Sequence, residues 1–279
     1  MEKKSVASSA AVWLVLLIIA FVFMIPFFWT FLTSVKVNDE IYTSTIRILP
    51  SRVTWEHYVK VFTQMQDFFR YFMNTVIVAF FSVLLTVLLS ATTGYSFSKC
   101  NYPGKNIFFA FILLILTLPY AIYLIPIYIM ESKVDLIDTN WGLILPYIAT
   151  NLPMSIFIMR GQFNSIPNNI GEAATIDGCN EFQVFKSIMT PIVKPGMATV
   201  IIFTFINVWG EFTFARTLTS TTNAQTLAVG ITFLRDEAAS WQYGTLTATI
   251  ALSIIPLLAI FLSMQKYFIR GIMEGALKG

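Results

Sequence analysis

Charge is scarce in this sequence. Only 12% of its 279 residues are Asp, Glu, Lys or Arg, against 56% that are hydrophobic, too little polar surface to clothe a soluble globule of this length. The net charge of +3 is thinly spread, and no Lys/Arg cluster resembles a nucleic-acid footprint, so no nucleic-acid partner is expected. There is one histidine, His57, read here as a solvent-facing loop residue. There are two cysteines, Cys100 and Cys179, neither with a second ligand at metal-binding spacing, so neither a metal centre nor a disulfide framework is implied. With one histidine, the nucleophile–base and metal constellations of a membrane-embedded hydrolase or protease are missing. A G-x-x-x-x-G-K-[ST] phosphate loop is missing too, since Gly104-Lys105 has neither the earlier glycine nor a following Ser/Thr, and any ATP hydrolysis therefore falls to another chain.

What is there is a series of long uncharged runs, at 5–35, 71–98, 106–130, 139–159, 195–210 and 238–265. A bilayer core takes about 20 apolar residues per helix, so these predict an all-α, polytopic membrane protein with six transmembrane helices. The fifth run is short, and its helix is expected to continue past Glu211 towards Arg216. The N-terminal MEKK and its apolar run read as an uncleaved first span, because the run is long and no small-residue cleavage pattern precedes Pro26. Placing both ends in the cytoplasm puts ten Lys/Arg inside and eight outside, a modest positive-inside bias. The expected organisation is a cytoplasmic N-terminus at 1–10, a first span at 11–33, an extracytoplasmic segment at 34–71, a permease core at 72–268 with a cytoplasmic loop at 161–195, and a cytoplasmic tail at 269–279. Both cysteines then lie in cytoplasmic loops, where thiols stay reduced.

Ser82, Thr86, Ser90, Gly94 and Ser98 recur every fourth residue and predict a narrow face on which another helix packs closely. Pro119 and Pro126 predict kinks in the third run. Trp55–Phe62 predicts a short amphipathic helix, either an interfacial anchor or a contact for an external protein. Asn151 in the fourth run, with Asn207, Trp209 and Glu211 in the fifth and Tyr120 in the third, bring amide, carboxylate and aromatic groups to membrane depth. There such groups mark a pathway or a contact between helices.

The polar stretch between the fourth and fifth runs is the most informative. Pro167 suits the start of a short helix over PNNIGEAATID, Gly178 suits its end, and Asn180 with Gln183 has capping-box spacing for a second helix. Ala173-Ala174 removes bulk from one edge, with Glu172 and Asp177 beside it. That fits a docking knob, or a solvated loop without a partner.

Glu172-Ala173-Ala174, three residues, Gly178, nine residues, then Ile188-x-x-Pro191 resembles the EAA loop of the membrane subunits of bacterial ABC importers. LPSRVTWEHYVKVF (49–62), GYSFSKCNYPGKNIFF (94–109) and KYFIRGIMEGALKG at the C-terminus are similar, in the same order, to the sugar-type branch related to the smaller membrane subunit of maltose transporters. Thr190 stands where that family usually has Leu, and Gly210 where related permeases often have Asn. The resemblance implies a type I ABC importer permease fold and an ATPase-coupling role for Glu172, Ala173, Ala174, Asp177, Gly178, Ile188 and Pro191. The implied partners are a second permease subunit, two cytoplasmic ATPases that use ATP and Mg, an extracytoplasmic solute-binding protein, membrane lipid and a carbohydrate substrate, with no cofactor bound by this chain. It places the loop in the cytoplasm and directs the tail towards the ATPase pair. For a sugar, Asn151, Asn207, Trp209, Glu211 and Tyr120 supply hydrogen bonds and an aromatic face, or else they are contacts between subunits. The competing function is an ion-coupled secondary transporter of a small polar solute. Internal repeats and buried titratable groups would mark one, yet Glu211 is nearly the only acid near a span and no repeat is found.

Overall fold

A computed structural model describes the backbone of residues 6–43, 45, 47–65, 67–234 and 242–276, with side chains from 12 to 267 within those ranges. The basic tail after Tyr267 lies outside the described side chains. The described residues are almost entirely helical: α1 (Val6–Ser34), α2 (Asn38–Ile41), α3 (Glu56–Thr63), α4 (Phe68–Lys99), α5 (Lys105–Ile115), α6 (Leu124–Ser132) and α7 (Asn140–Asn164), then α8 (Asn168–Ile176), α9 (Glu181–Gln183), α10 (Thr190–Ile192), α11 (Lys194–Trp209), α12 (Thr213–Leu218), α13 (Leu227–Gly230) and α14 (Tyr243–Ala276). Four of these are long and apolar enough to cross a membrane, and six spans result if two bent pairs each count as one. The pairs are Lys105–Ile115 with Tyr120–Ser132, bent by 96°, and Glu181–Ile192 with Lys194–Trp209, bent by 75°. The first bend begins just before Pro119, as the missing N–H of proline predicts. The chain divides into two compact units, residues 1–66 with 231–255, and residues 67–230 with 256–279.

In the first unit α3 is the expected amphipathic helix, with His57 and Val61 buried and Val59 and Phe62 exposed. His57 is the exception to the sequence reading. It is only 2% exposed, and its Nε2 lies 2.8 Å from the Lys36 carbonyl. A buried carbonyl needs a donor. Space for the ring comes from Gly244, where any Cβ would collide with the imidazole.

The second unit is built on α4 packed along α7. Ser82, Thr86 and Ser90 are fully buried, and a Cβ at Gly94 would lie 2.7 Å from Met159 Cβ. The small-residue face therefore does what its spacing predicts, bringing two backbones close where lipid offers little hydrophobic drive and close packing supplies the attraction. One buried cluster joins Val78, Leu143, Ile144, Val208 and Phe214. Another joins Met159, Phe163, Ala174, Val184, Met189 and Val193 at the loop end of the unit.

Asp138, in the left-handed region at φ 63°, staples the link before α7 to the segment after α12. Its Oδ1 accepts from the amides of Ser220 (2.8 Å) and Thr221 (2.9 Å), and its Oδ2 from the Thr221 hydroxyl (2.6 Å). Burial pushes this carboxyl up, but the Thr221 hydroxyl and the two amides together hold it below its usual 3.8. A depressed carboxyl stabilises the fold above its unfolded pKa and loses that contribution as pH falls through the folded one. Asp138→Ala is expected to cost about 1–2 kcal/mol at pH 7 and to remove this carboxyl's share of the stability lost as pH drops below 3.8. Thermal unfolding in detergent across pH 3–7 checks both.

Candidate functional site

Two places gather the residues that carry chemistry, a polar cavity beside α7, α11 and α12 and the loop between α7 and α11. The cavity is organised by Glu211. The fifth-run helix does not continue past this residue as the sequence suggested: α11 ends at Trp209, and the chain turns through Gly210 before α12 begins. The break is where the carboxylate acts. Glu211 Oε1 accepts from the amide of Phe214 (2.9 Å) and Oε2 from that of Ala215 (3.1 Å), capping the new helix start with a charge the helix dipole favours. Tyr120 OH donates to Oε1 at 3.1 Å and Tyr147 OH to Oε2 at 2.6 Å. A carboxylate has about four acceptor positions, so these four donors leave it saturated.

Beside it, Asn207 Nδ2 donates to Asn151 Oδ1 (3.0 Å), and Asn151 Nδ2 to the Tyr147 carbonyl (2.8 Å). A cavity of about 300 Å³ opens over this chain of bonds, lined by Tyr120, Asn151, Asn207 and Glu211 together with Tyr147, Thr150 and Phe214. Asn151 and Tyr147 form its buried floor, while Tyr120 and Asn207 stand exposed at its mouth. Tyr147 and Thr150 escaped the sequence reading, although they share the Asn151 face of α7 by their spacing. Trp209 stands elsewhere. It stacks on Phe205 at 5.1 Å, meets Phe72 edge-on at 5.9 Å, and lines an apolar groove between α4, α11 and α14.

The loop has the expected helix, glycine corner and helix. Pro167 occupies the cap position of α8, Gly178 turns the chain at φ +89°, and Asn180 and Gln183 cap each other reciprocally at 2.9 and 2.8 Å. Glu172, Ala173, Asp177 and Gly178 are exposed, whereas Ala174 is 8% exposed and packs into the unit's own core. The alanine pair therefore divides, one residue facing outward and one inward. Ile188 packs against the same core, and Pro191 is exposed. Two features went unseen in the sequence. Ile176 and Phe182 are 86% and 66% exposed, an apolar pair beside Asp177. Residues Val184–Met189 form a π-helical turn, in which the amide and the hydroxyl of Thr190 both donate to the Phe185 carbonyl. Pro191 has no N–H to give to the preceding turn, and the Thr190 hydroxyl is an additional donor there.

Among the described residues, no three His, Cys, Asp or Glu side chains come together as a metal site.

Residues 87–274 match the family described as binding-protein-dependent transport system inner membrane component. The chain is 35% identical over 278 residues to a probable ABC transporter permease protein of Bacillus subtilis (strain 168), covering 100% of this chain and 91% of that one. It is 30% identical over 263 residues to the arabinooligosaccharides transport system permease protein AraQ of Halalkalibacterium halodurans, covering 94% and 93%. Among solved structures, a chain of a bacterial ABC transporter involved in the import of the acidic polysaccharide alginate superposes with a TM-score of 0.82 at 23% identity, covering 96% of this chain and 99% of that one.

Because the Tyr147 phenol is buried and Tyr120 is 43% exposed, removing each hydroxyl separates a buried bond from a wet one. Tyr147→Phe is expected to destabilise the protein by about 1–3 kcal/mol and Tyr120→Phe by less. Thermal unfolding of the two variants side by side makes the measurement.

Proposed function

The chain belongs to the family of binding-protein-dependent transport system inner membrane components, and from that premise we propose that it is the permease subunit of an ATP-driven importer for an oligosaccharide or related sugar. It forms the translocation pathway together with a second permease subunit. Two cytoplasmic ATPase subunits hydrolyse ATP with Mg, and an extracytoplasmic binding protein delivers the sugar. Both termini and the α7–α11 loop face the cytoplasm.

The observation that carries this reading is the shape and exposure of the loop. Glu172, Ala173, Ile176, Asp177 and Phe182 all reach solvent, on a corner that the capping box and Gly178 hold in one conformation. A rigid projection with apolar tips and acidic flanks suits a docking element for an ATPase surface. Ala174, Ile188 and the core around Phe163 tie it back to the membrane spans. Closure of the ATPase pair then draws two docked loops together, and the spans follow. Nucleotide and substrate bias one two-state element.

The sugar reading draws on the relatives, of which one is named for arabinooligosaccharides and one solved structure for alginate. The cavity chemistry supports it. Amides at Asn151 and Asn207, the Thr150 hydroxyl and the Tyr120 ring face match what a polyhydroxyl ring needs. Saturated by its own partners, Glu211 fixes the tyrosines and has no acceptor left for the sugar.

Pull-down from gently solubilised membranes with mass spectrometry tests the assignment. Wild type is expected to bring down an ATPase and a second permease, and Gly178→Asp to lose the ATPase alone, because an aspartate at φ +89° disturbs the corner. A chain that comes out by itself in both cases would overturn the reading in favour of ion-coupled uptake. Asn207→Ala is expected to lower uptake about tenfold or more while both partners stay bound, by removing a polar group that the cavity is built to present. Uptake of labelled sugar into vesicles checks it, with unchanged uptake removing Asn207 from the pathway.

A further inference from the structure

The cytoplasmic end of α4 holds the α7–α11 loop at both of its ends. Residues 165–167 are the non-helical joint between α7 and α8, and Pro167 gives α8 no side-chain cap. The Lys99 ammonium ties that joint to the start of α8, donating to the Ile166 carbonyl at 2.5 Å and to Asn168 Oδ1 at 2.8 Å. One residue earlier, Ser98 Oγ donates to Asn164 Oδ1 at 2.7 Å. One turn back, the Tyr95 ring packs between Phe163 at 5.4 Å, before the joint, and Phe185 at 5.0 Å, after the glycine corner. The loop cannot shift against the spans without carrying the end of α4 or breaking these contacts.

The other end of α4 is fastened as firmly. Asn74 Nδ2 donates to the carbonyls of Thr222 and Gln225, both at 3.0 Å, and is buried. Thr75 Oγ1 accepts from the Leu227 amide at 2.8 Å. The same segment carries Ser220 and Thr221, the Asp138 partners. Both attachments lie on one unbroken helix of 32 residues with no proline inside it, and the stretch from Asn74 to Lys99 spans about 38 Å.

We propose that α4 is a transmission rod, with Lys99 as the positioning residue that fastens it to the coupling loop and Asn74 as the one that fastens it to the opposite membrane face. Motion of the docked loop reaches the 219–227 segment along α4, and by linkage an event at that segment reaches the loop. This rests on the loop being the ATPase dock. It differs from that reading in giving the signal a path through a helix that is not adjacent to the loop in sequence.

The test is the ratio of binding-protein-stimulated to basal ATP hydrolysis in the reconstituted four-subunit transporter, using the partners recovered in the pull-down. Lys99→Met is expected to lower the ratio by about fivefold or more with the ATPase pair still bound and basal hydrolysis retained. Lys99→Arg, which keeps two donors, restores the ratio. Asn74→Leu lowers it as well, and the double variant loses no more than the larger single loss, because a rod released at one end no longer transmits. An unchanged ratio in Lys99→Met, losses that multiply in the double variant, or release of the ATPase by Lys99→Met would each overturn the proposal. Failure of the docking reading shows separately, as an ATPase that stays bound to Gly178→Asp.

Discussion

Inside a bilayer a charged group must find its partners within the protein, and the single carboxylate of Glu211 shows how much structure that requirement can organise. Desolvating it unpaired would cost several kcal/mol. Its four donors come from three places, the kink after α5, the middle of α7 and the first turn of α12. Meeting the demand of one residue therefore fixes the break between α11 and α12, orients two tyrosines and sets the wall of the polar cavity. The paired amides of Asn151 and Asn207 extend the same network, and the cavity is the space left over where these groups converge.

The loop obeys a different solvent. Water satisfies any polar group there, so shape has to be fixed by local devices: a glycine at positive φ, a reciprocal cap and a few buried side chains beneath. Ile176 and Phe182 remain exposed, Phe182 with the Lys186 ammonium 5.9 Å over its ring. Exposed apolar groups on a rigid corner are a recognised mark of an interaction surface, and here they stand beside acidic groups on one short projection.

What was legible in the sequence follows this division. Periodic and local signals were readable: the small-residue face of α4, the proline kink, the amphipathic α3, the Gly178 corner and the Asn180–Gln183 cap depend on residues a few positions apart. Signals that depend on distant elements were not. His57 looked like a loop residue because nothing nearby foretells that Gly244, far along the chain, leaves a slot for its ring. Glu211 was expected within a continuing helix, since two of its four donors, Tyr120 and Tyr147, come from elements far away in the sequence. Trp209 sits two residues from Glu211 yet turns to the apolar groove, because the chain breaks between them and the helical face no longer predicts direction.

The π turn at Val184–Met189 changes how the loop must be counted. The inward-facing residues there are Val184, Met189 and Val193, spaced five and then four apart, where a regular α-helix would present Val184, Ile188 and a residue three or four further on. Measured by its turns, the segment holds one residue more than an α-helix joining the same end points. Shortening it by a single residue between 184 and 189 would restore ordinary helical bonding without moving either end, so this is the place where the loop can absorb a change of length. A helical wheel drawn straight through it turns every later residue by about 100° from its place.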